Sequence, residues 1–140
     1  MSAIESRYHR VIDANYNRAK EAVRVCEDIS RFFLDDVRLT AKFKQSRHAL
    51  TKALLQFPVP YRRLVAARDS AGDVGKKSRL EDLERRPRVP DLMAANLKRA
   101  EEAVRVLEEF SKIVAPRQSP AFQKIRFHLY ELEKIAFRKL

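Results

Sequence analysis

One cysteine, two glycines, three histidines and no tryptophan occur in the 140 residues, and charged side chains interrupt every apolar stretch within a few positions. The lone Cys26 excludes an intrachain disulfide and points to a reducing compartment. So few glycines argue against turn-dense all-β architectures. The broken apolar stretches exclude a transmembrane helix and a secretory leader, so a cytoplasmic protein with no membrane partner is expected. His9, His48 and His128 stand alone, without the paired His or Cys spacings of a zinc site. Acidic residues are in deficit as well, 19 against 30 Lys and Arg, for a formal charge of +11. That surplus favours a polyanionic partner (phosphorylated metabolite, nucleotide or nucleic acid) without choosing among them.

What is present is one statement made twice. Ala14-Asn15-x-x-Arg18-Ala19-x-Glu21-Ala22-Val23-Arg24-Val25-x-Glu27 returns 81 positions later as Ala95-Asn96-x-x-Arg99-Ala100-x-Glu102-Ala103-Val104-Arg105-Val106-x-Glu108. Alternating steps of four and three trace a helical seam through Ile4, Tyr8, Val11, Asn15, Arg18, Ala22, Val25, Ile29 and Phe32. The second copy runs through Leu92, Asn96, Arg99, Ala103, Val106, Phe110 and Ile113. Asn15, Arg18, Asn96 and Arg99 thus take positions that packing alone fills with Leu or Ile. A buried amide or guanidinium is costly unless its hydrogen bonds are met, so the doubled pair reads as a pocket for an anion. The alternative is a register-fixing asparagine beside an arginine that snorkels to solvent. Glu21 and Glu102, one turn after each arginine, are expected to hold it by ion pairing, with a contribution to a metal site as the alternative. Cys26 reads as core filler, and Arg24, Glu27, Asp28 and Arg31 as surface pairs outside the site.

The spacing predicts one all-α domain, residues 1–140: a four-helix bundle of two repeated αα-hairpins, 1–58 and 90–140, joined by a long central loop, 59–89. The first helix should run from Ile4 to Leu34, opened by the capping box Ser2-x-x-Glu5. The second carries the stripe Leu39, Phe43, Ser46, Leu50, Ala53 and Phe57 and ends before Pro58. The third begins after Pro90-Asp91. Ser119-Pro120 is predicted as N-cap and first residue of the fourth, with the stripe Phe122, Ile125, Leu129, Leu132 and Ala136. A loop this long inside a compact bundle is functional or mobile, and Ser78-x-x-Glu81 marks a short helix within it.

The loop holds Arg68-Asp69-x-x-Gly72-Asp73-x-Gly75. Gly72 and Gly75 would let the backbone approach a phosphate, Asp69 and Asp73 would hold Mg²⁺, and Arg68 would clamp an anion; the alternative is a turn with solvated charges. Gly75-Lys76-Lys77 lacks the upstream glycine, the following Ser/Thr and the preceding strand of a P-loop. Lys44-x-x-Arg47-His48 and Lys124-x-Arg126-x-His128 could each line a phosphate site or form a solvated helix face.

Taken together, four segments resemble a known small family over nearly the whole chain: Asp13-Ala14-Asn15-x-Asn17-Arg18-Ala19-x-Glu21-Ala22-x-Arg24-Val25-x-Glu27-Asp28; Lys44-x-x-Arg47-His48; Ala67-Arg68-Asp69-x-x-Gly72-Asp73-x-Gly75; and Ala95-Asn96-x-Lys98-Arg99-x-x-Glu102-Ala103-x-Arg105-Val106-Leu107-Glu108-Glu109-Phe110. It is the monofunctional hydroxymethylpyrimidine-phosphate kinases of thiamine biosynthesis, found alone or fused ahead of thiamine-phosphate synthase. The resemblance implies ATP-dependent conversion of hydroxymethylpyrimidine phosphate to the diphosphate, without action on the unphosphorylated alcohol. No synthase follows, so a standalone member is expected, with a homodimer left open.

Phosphoryl-transfer chemistry then suggests roles. Asn15, Arg18, Asn96 and Arg99 are the catalytic candidates; Lys44, Arg47, His48, Arg68 and Lys98 the substrate-binding ones; Gly72 and Gly75 approach the nucleotide, and Asp69 and Asp73 hold Mg²⁺. The competing expectation is a basic helical module that binds nucleic acid or senses nucleotide. Net charge and Arg85-Arg86-x-Arg88 favour it; the lack of a helix-turn-helix spacing or an aromatic platform among the basic residues argues against it.

Overall fold

The computed structural model describes residues 2–76 and 86–140; Lys77, Arg85 and the Ser78–Glu81 capping signal lie outside the described residues. Helix α1 (Ala3–Asp28) runs on into a π-helical turn, Ile29–Phe33. There follow α2 (Val37–Leu55), a short α3 (Tyr61–Ala66) within the expected loop, α4 (Val89–Val114), a 3₁₀ turn at Pro116–Gln118, and α5 (Ser119–Ala136). Among the described residues there is no strand, and no helix is long and apolar enough to cross a membrane.

Local chemistry sets most helix starts. The Ser2 hydroxyl accepts from the Glu5 N–H while the Glu5 carboxylate accepts from the Ser2 N–H, the reciprocal box that the sequence predicts. Asp36 caps α2 by accepting from the Leu39 N–H at 2.8 Å, and Asp91 accepts from the Arg88 N–H at 2.9 Å where α4 begins. The start of α5 departs from expectation. Ser119 already has helical angles and its hydroxyl donates to the Glu108 carbonyl at 3.0 Å, because the 3₁₀ turn before it delivers the chain in helical register.

Helix α1 packs against α4 and α2, and α5 closes the square against α4 and α2. Tyr8, near the start of α1, lies 6.5 Å from Phe110 near the end of α4, so these two helices are antiparallel. Phe57, just past α2, meets Phe122 at the start of α5 edge-on at 5.9 Å, and Lys139 at the far end of α5 pairs with Asp36 at the start of α2. Every neighbouring pair is therefore antiparallel, and the two hairpins are related by an approximate twofold axis across the bundle.

This topology explains the long connection. Helices α2 and α4 run in the same direction, so after the 19 residues of α2, about 28 Å at 1.5 Å per residue, the chain must climb back before α4 can begin. It climbs along α1. Helix α3 packs on α1, and Arg68 reaches Asp13 through two hydrogen bonds of 2.6 and 2.8 Å.

The core is filled by Ile12, Val23, Phe43, Leu50, Leu97, Val104, Leu107, Phe122, Leu129 and Leu132. Cys26 is fully buried among them, and burial pushes its thiol up to about 12, which makes it inert filler as expected. The predicted seam, however, is not the core stripe. It lies to one side, with Ile4, Phe32 and Ile113 exposed, because the apolar arc of α1 and α4 is wide enough to admit a buried stripe beside it. Arg18 and Arg99 are correspondingly exposed, so no burial cost attaches to them; Asn15 and Asn96 are buried.

Two buried ion pairs tie the hairpins. Glu27 of α1 accepts from Arg47 of α2 at 2.9 and 3.3 Å, and its repeat counterpart Glu108 of α4 accepts from Arg126 of α5 at 2.9 Å. Glu27 is therefore no surface residue, which corrects the sequence reading; Arg24 and Asp28 do form an exposed pair. A third cluster joins α4 to α5, where the Lys98 ammonium bridges Glu101 at 3.1 Å and Glu133 at 2.9 Å. The second oxygen of each carboxylate is buried without a partner among the described residues. Burial first, then the neighbouring Glu133 carboxylate, pushes the Glu101 carboxyl up to about 7 against the pull of Lys98.

Breaking one buried pair strands its partner. Replacing Arg126 by Ala should lower unfolding stability by about 3–5 kcal/mol, a loss that urea titration would measure, with Arg47→Ala close behind. Glu101 makes a second prediction. Its carboxyl holds its proton more tightly folded than at its ordinary 4.5, so its stabilisation is complete below that pH and is lost as pH rises through about 7. Melting curves of Glu101→Gln across this window should fall less steeply with pH than those of the wild type.

Candidate functional site

Counting inward from the Tyr8–Phe110 contact brings Arg18 level with Arg99 and Ala100, so the twofold axis passes between the two arginines. Ala19, Ala22, Ala100 and Ala103, all buried, occupy this central stretch and let the two helices approach closely. Beside the alanines opens a cleft of about 670 Å³. It is lined by Asn15 with Asn96, Arg18 with Arg99, Glu21 with Glu102, Val25 with Val106, and Ala103. Four of these sets are repeat-related pairs, so the duplicated motif of the sequence becomes a single near-symmetric site.

The same register orders the cleft along its length. The arginines sit at the axis. On one side Glu21 is level with Asn96, on the other Glu102 is level with Asn15, and Val25 and Val106 lie farthest out, each about 10 Å from its own arginine at 1.5 Å per residue. Each asparagine donates its Nδ2 to the carbonyl one turn back, Asn15 to Val11 and Asn96 to Leu92, both at 2.9 Å. That fixes the amide so that Oδ1 is the atom without a partner among the described residues. The expected Arg18–Glu21 and Arg99–Glu102 ion pairs do not form: none of these four charges has an ion pair or hydrogen bond among the described residues. The site thus offers two guanidinium donors at its centre, flanked by oxygen acceptors.

The remaining candidates from the sequence lie elsewhere. Arg47 is held by Glu27, Arg68 by Asp13, and Lys98 by Glu101 and Glu133. Lys44 lines a separate depression of about 620 Å³ between α1 and α2, with Arg24, Arg31 and Arg47 among its walls. His48 is exposed on α2. Lys124 and His128 line a mostly apolar groove between α2 and α5, while Arg126 is turned inward to Glu108.

In the loop, Asp69 accepts from the Gly72 N–H and Asp73 from the Gly75 N–H, both at 2.9 Å, so the four residues form two exposed turns. A Cβ at Gly72 would fall 2.3 Å from an Asp69 oxygen, which is why glycine stands there. None of these residues lines the cleft. Glu27 and Glu108 escaped the sequence reading, although their presence in both copies, each followed by an arginine on the next long helix, was a usable signal.

Unpaired like charges brought together at an axis favour an anion between them and gain little from each other. Arg18→Ala and Arg99→Ala should each leave the melting temperature without ligand unchanged or slightly raised. Each should also remove most of the rise that millimolar pyrophosphate gives the wild type, as scanning fluorimetry would show.

Residues 10–135 match the ThiD2 family. Among curated proteins the chain is 38% identical over 125 residues to a thiamine-phosphate synthase of Nostoc punctiforme, covering 89% of this chain and 34% of that protein. It is 40% identical over 124 residues to one of Synechocystis sp., covering 89% and 34%, and 34% identical over 121 residues to one of Rhodopirellula baltica, covering 86% and 32%. The chain thus spans about a third of the length of these relatives. No solved structure matches it.

Proposed function

The chain belongs to the ThiD2 family, and on that premise we propose that it is an ATP-dependent kinase converting hydroxymethylpyrimidine phosphate to the diphosphate in thiamine biosynthesis. The observation that carries this reading is the pair of unpaired arginines on the axis of a near-symmetric cleft. Two phosphate-bearing reactants must meet with their phosphates together and their heterocycles apart. The cleft has that layout. Arg18 and Arg99 stand at the centre where charge concentrates, and Val25 and Val106 give an apolar surface at either end for a ring.

In the reaction an oxygen of the pyrimidine's phosphate attacks the γ-phosphorus of ATP, the bond from that phosphorus to the β–γ bridging oxygen breaks, and ADP leaves with the electron pair. The attacking oxygen has already lost its proton near neutrality, since a phosphate monoester's second pKa is about 6. A general base is therefore unnecessary. Among the described residues the lining accordingly needs to supply charge and alignment, which its two arginines offer. The guanidiniums cancel charge between the reactants and hold them in line, which supplies most of what phosphoryl transfer requires. Mg²⁺, when bound, neutralises the β- and γ-phosphates, and the carboxylate and amide oxygens of the lining are the hard donors that suit it. The four buried alanines between α1 and α4 set both arginines on the wall of one cleft.

Incubation with ATP, Mg²⁺ and the pyrimidine monophosphate should yield the diphosphate and ADP in equal amounts. The free alcohol lacks the charge that Arg18 and Arg99 are placed to meet, so its kcat/KM should be lower by at least ~10³-fold. Arg18→Ala and Arg99→Ala should each lower kcat/KM by at least ~100-fold, about 2.7 kcal/mol. Absence of turnover together with tight nucleic-acid binding at physiological salt would overturn the kinase in favour of the basic surface.

A further inference from the structure

We infer that the cleft between α1 and α4 is a site for a dinucleoside polyphosphate, with one nucleoside in each repeat-related half and the phosphate chain across Arg18 and Arg99. A kinase acting on a pyrimidine phosphate needs nucleoside recognition in one half only. Recognition in both halves goes beyond that reading, and it stands on the cleft alone, whether or not turnover occurs.

Outward from the axis the side chains follow the order of a nucleotide, and they do so twice. At the centre Arg18 and Arg99 have no ion pair among the described residues, which suits a chain of phosphates. Three residues out, about 4.5 Å at 1.5 Å per residue, Glu21 is level with Asn96 on one side and Glu102 with Asn15 on the other. These side chains present oxygens, since both carboxylates lack ion pairs among the described residues and each asparagine turns its Nδ2 to a backbone carbonyl. Acceptors there meet the hydroxyls of a sugar, which donate; phosphates are repelled from them and so confined to the centre. Seven residues out, about 10 Å from the arginines, Val25 comes level with Leu92 and Val106 with Val11. Val11 and Leu92 stand 81 positions apart, as the two copies of the repeat do, so each end offers an equivalent apolar pair to the flat face of a base.

Span and volume agree with a two-headed ligand. The apolar ends lie about 21 Å apart along the helices, the rise of about 14 residues. A single nucleoside triphosphate lays its base on one end and its phosphates over the arginines, which leaves the other end empty. A second nucleoside joined to the terminal phosphate fills that end. The cavity of about 670 Å³ is of the size that takes ligands of this class. Joining the two nucleosides makes the second contact intramolecular, so affinity rises without any new protein group. Bound in this way, the ligand occupies both halves and excludes both reactants of the kinase.

Isothermal titration calorimetry of the full chain with diadenosine tetraphosphate, run beside ATP and pyrophosphate, tests this. One molecule of the tetraphosphate should bind per chain, at least ~10-fold more tightly than ATP. Arg18→Ala and Arg99→Ala should each weaken it, by factors that agree within ~3-fold because the axis passes between the two guanidiniums. Val25→Asn and Val106→Asn should each weaken it by at least ~5-fold through loss of apolar contact with a base. Pyrophosphate reaches neither end, so it should bind both valine variants as it binds the wild type, which also shows that they fold. Two molecules per chain, affinity no better than that of ATP, a loss confined to one arginine, or indifference to either valine substitution would each overturn the inference. The two proposals fail separately. Diphosphate formed by a chain that binds the tetraphosphate no better than ATP removes this site and leaves the kinase standing; one tetraphosphate held across both arginines with no diphosphate formed does the reverse.

Discussion

The close antiparallel packing of α1 on α4 is the constraint from which the rest of the structure follows. Ala19, Ala22, Ala100 and Ala103 carry so little side chain that the two helices meet near their midpoints. Because the residues around them are repeats of one another, the meeting point is also an axis of approximate symmetry. A larger residue there would do more than cost the ~1–3 kcal/mol of an overpacked core. It would move Arg18 away from Arg99 and open the floor of the cleft.

The other helices brace this pair. Helix α2 is fastened to α1 through Glu27 and Arg47, and α5 to α4 through Glu108 and Arg126. Such buried pairs add little net stability over apolar side chains, but they allow few alternative registers, and they hold each hairpin in one alignment. The cleft is built on the opposite principle. Its charges are near the surface and unpaired among the described residues. The molecule thus satisfies its ionic groups where helices must not slide and leaves them unpaired, among the described residues, along the cleft.

Much of this was legible in the residues. The all-α class, the hairpins, the caps at Ser2 and the stripes of α2 and α5 follow from periodicity and capping chemistry, and the repeat alone singled out Asn15, Arg18, Asn96 and Arg99, which the fold brings to one cleft. The seam was misjudged because steps of four and three fit two adjacent stripes of a helix this apolar, and only the partner helices decide which is inside. Glu27 was misjudged for a related reason: a carboxylate four residues from a basic side chain looks the same on paper whether it faces water or Arg47. Lys44, Arg68, Asp69 and Lys98 belong to the same difficulty. Sequence gives their charge but not whether the fold will set them against a neighbouring carboxylate, in a separate depression or in an exposed turn.

The connection that climbs the length of the bundle has one more consequence. Two separate copies of a single hairpin could form the same four-helix square, but identical chains must present identical residues on both sides of their axis. Joining the halves covalently lifts that restriction. Tyr16 stands where its counterpart is Leu97, Asn17 where it is Lys98, and Lys20 where it is Glu101, while the residues lining the centre stay alike. The linker thereby lets the surroundings of the cleft differ from one half of the chain to the other while its lining keeps the symmetry of the repeat.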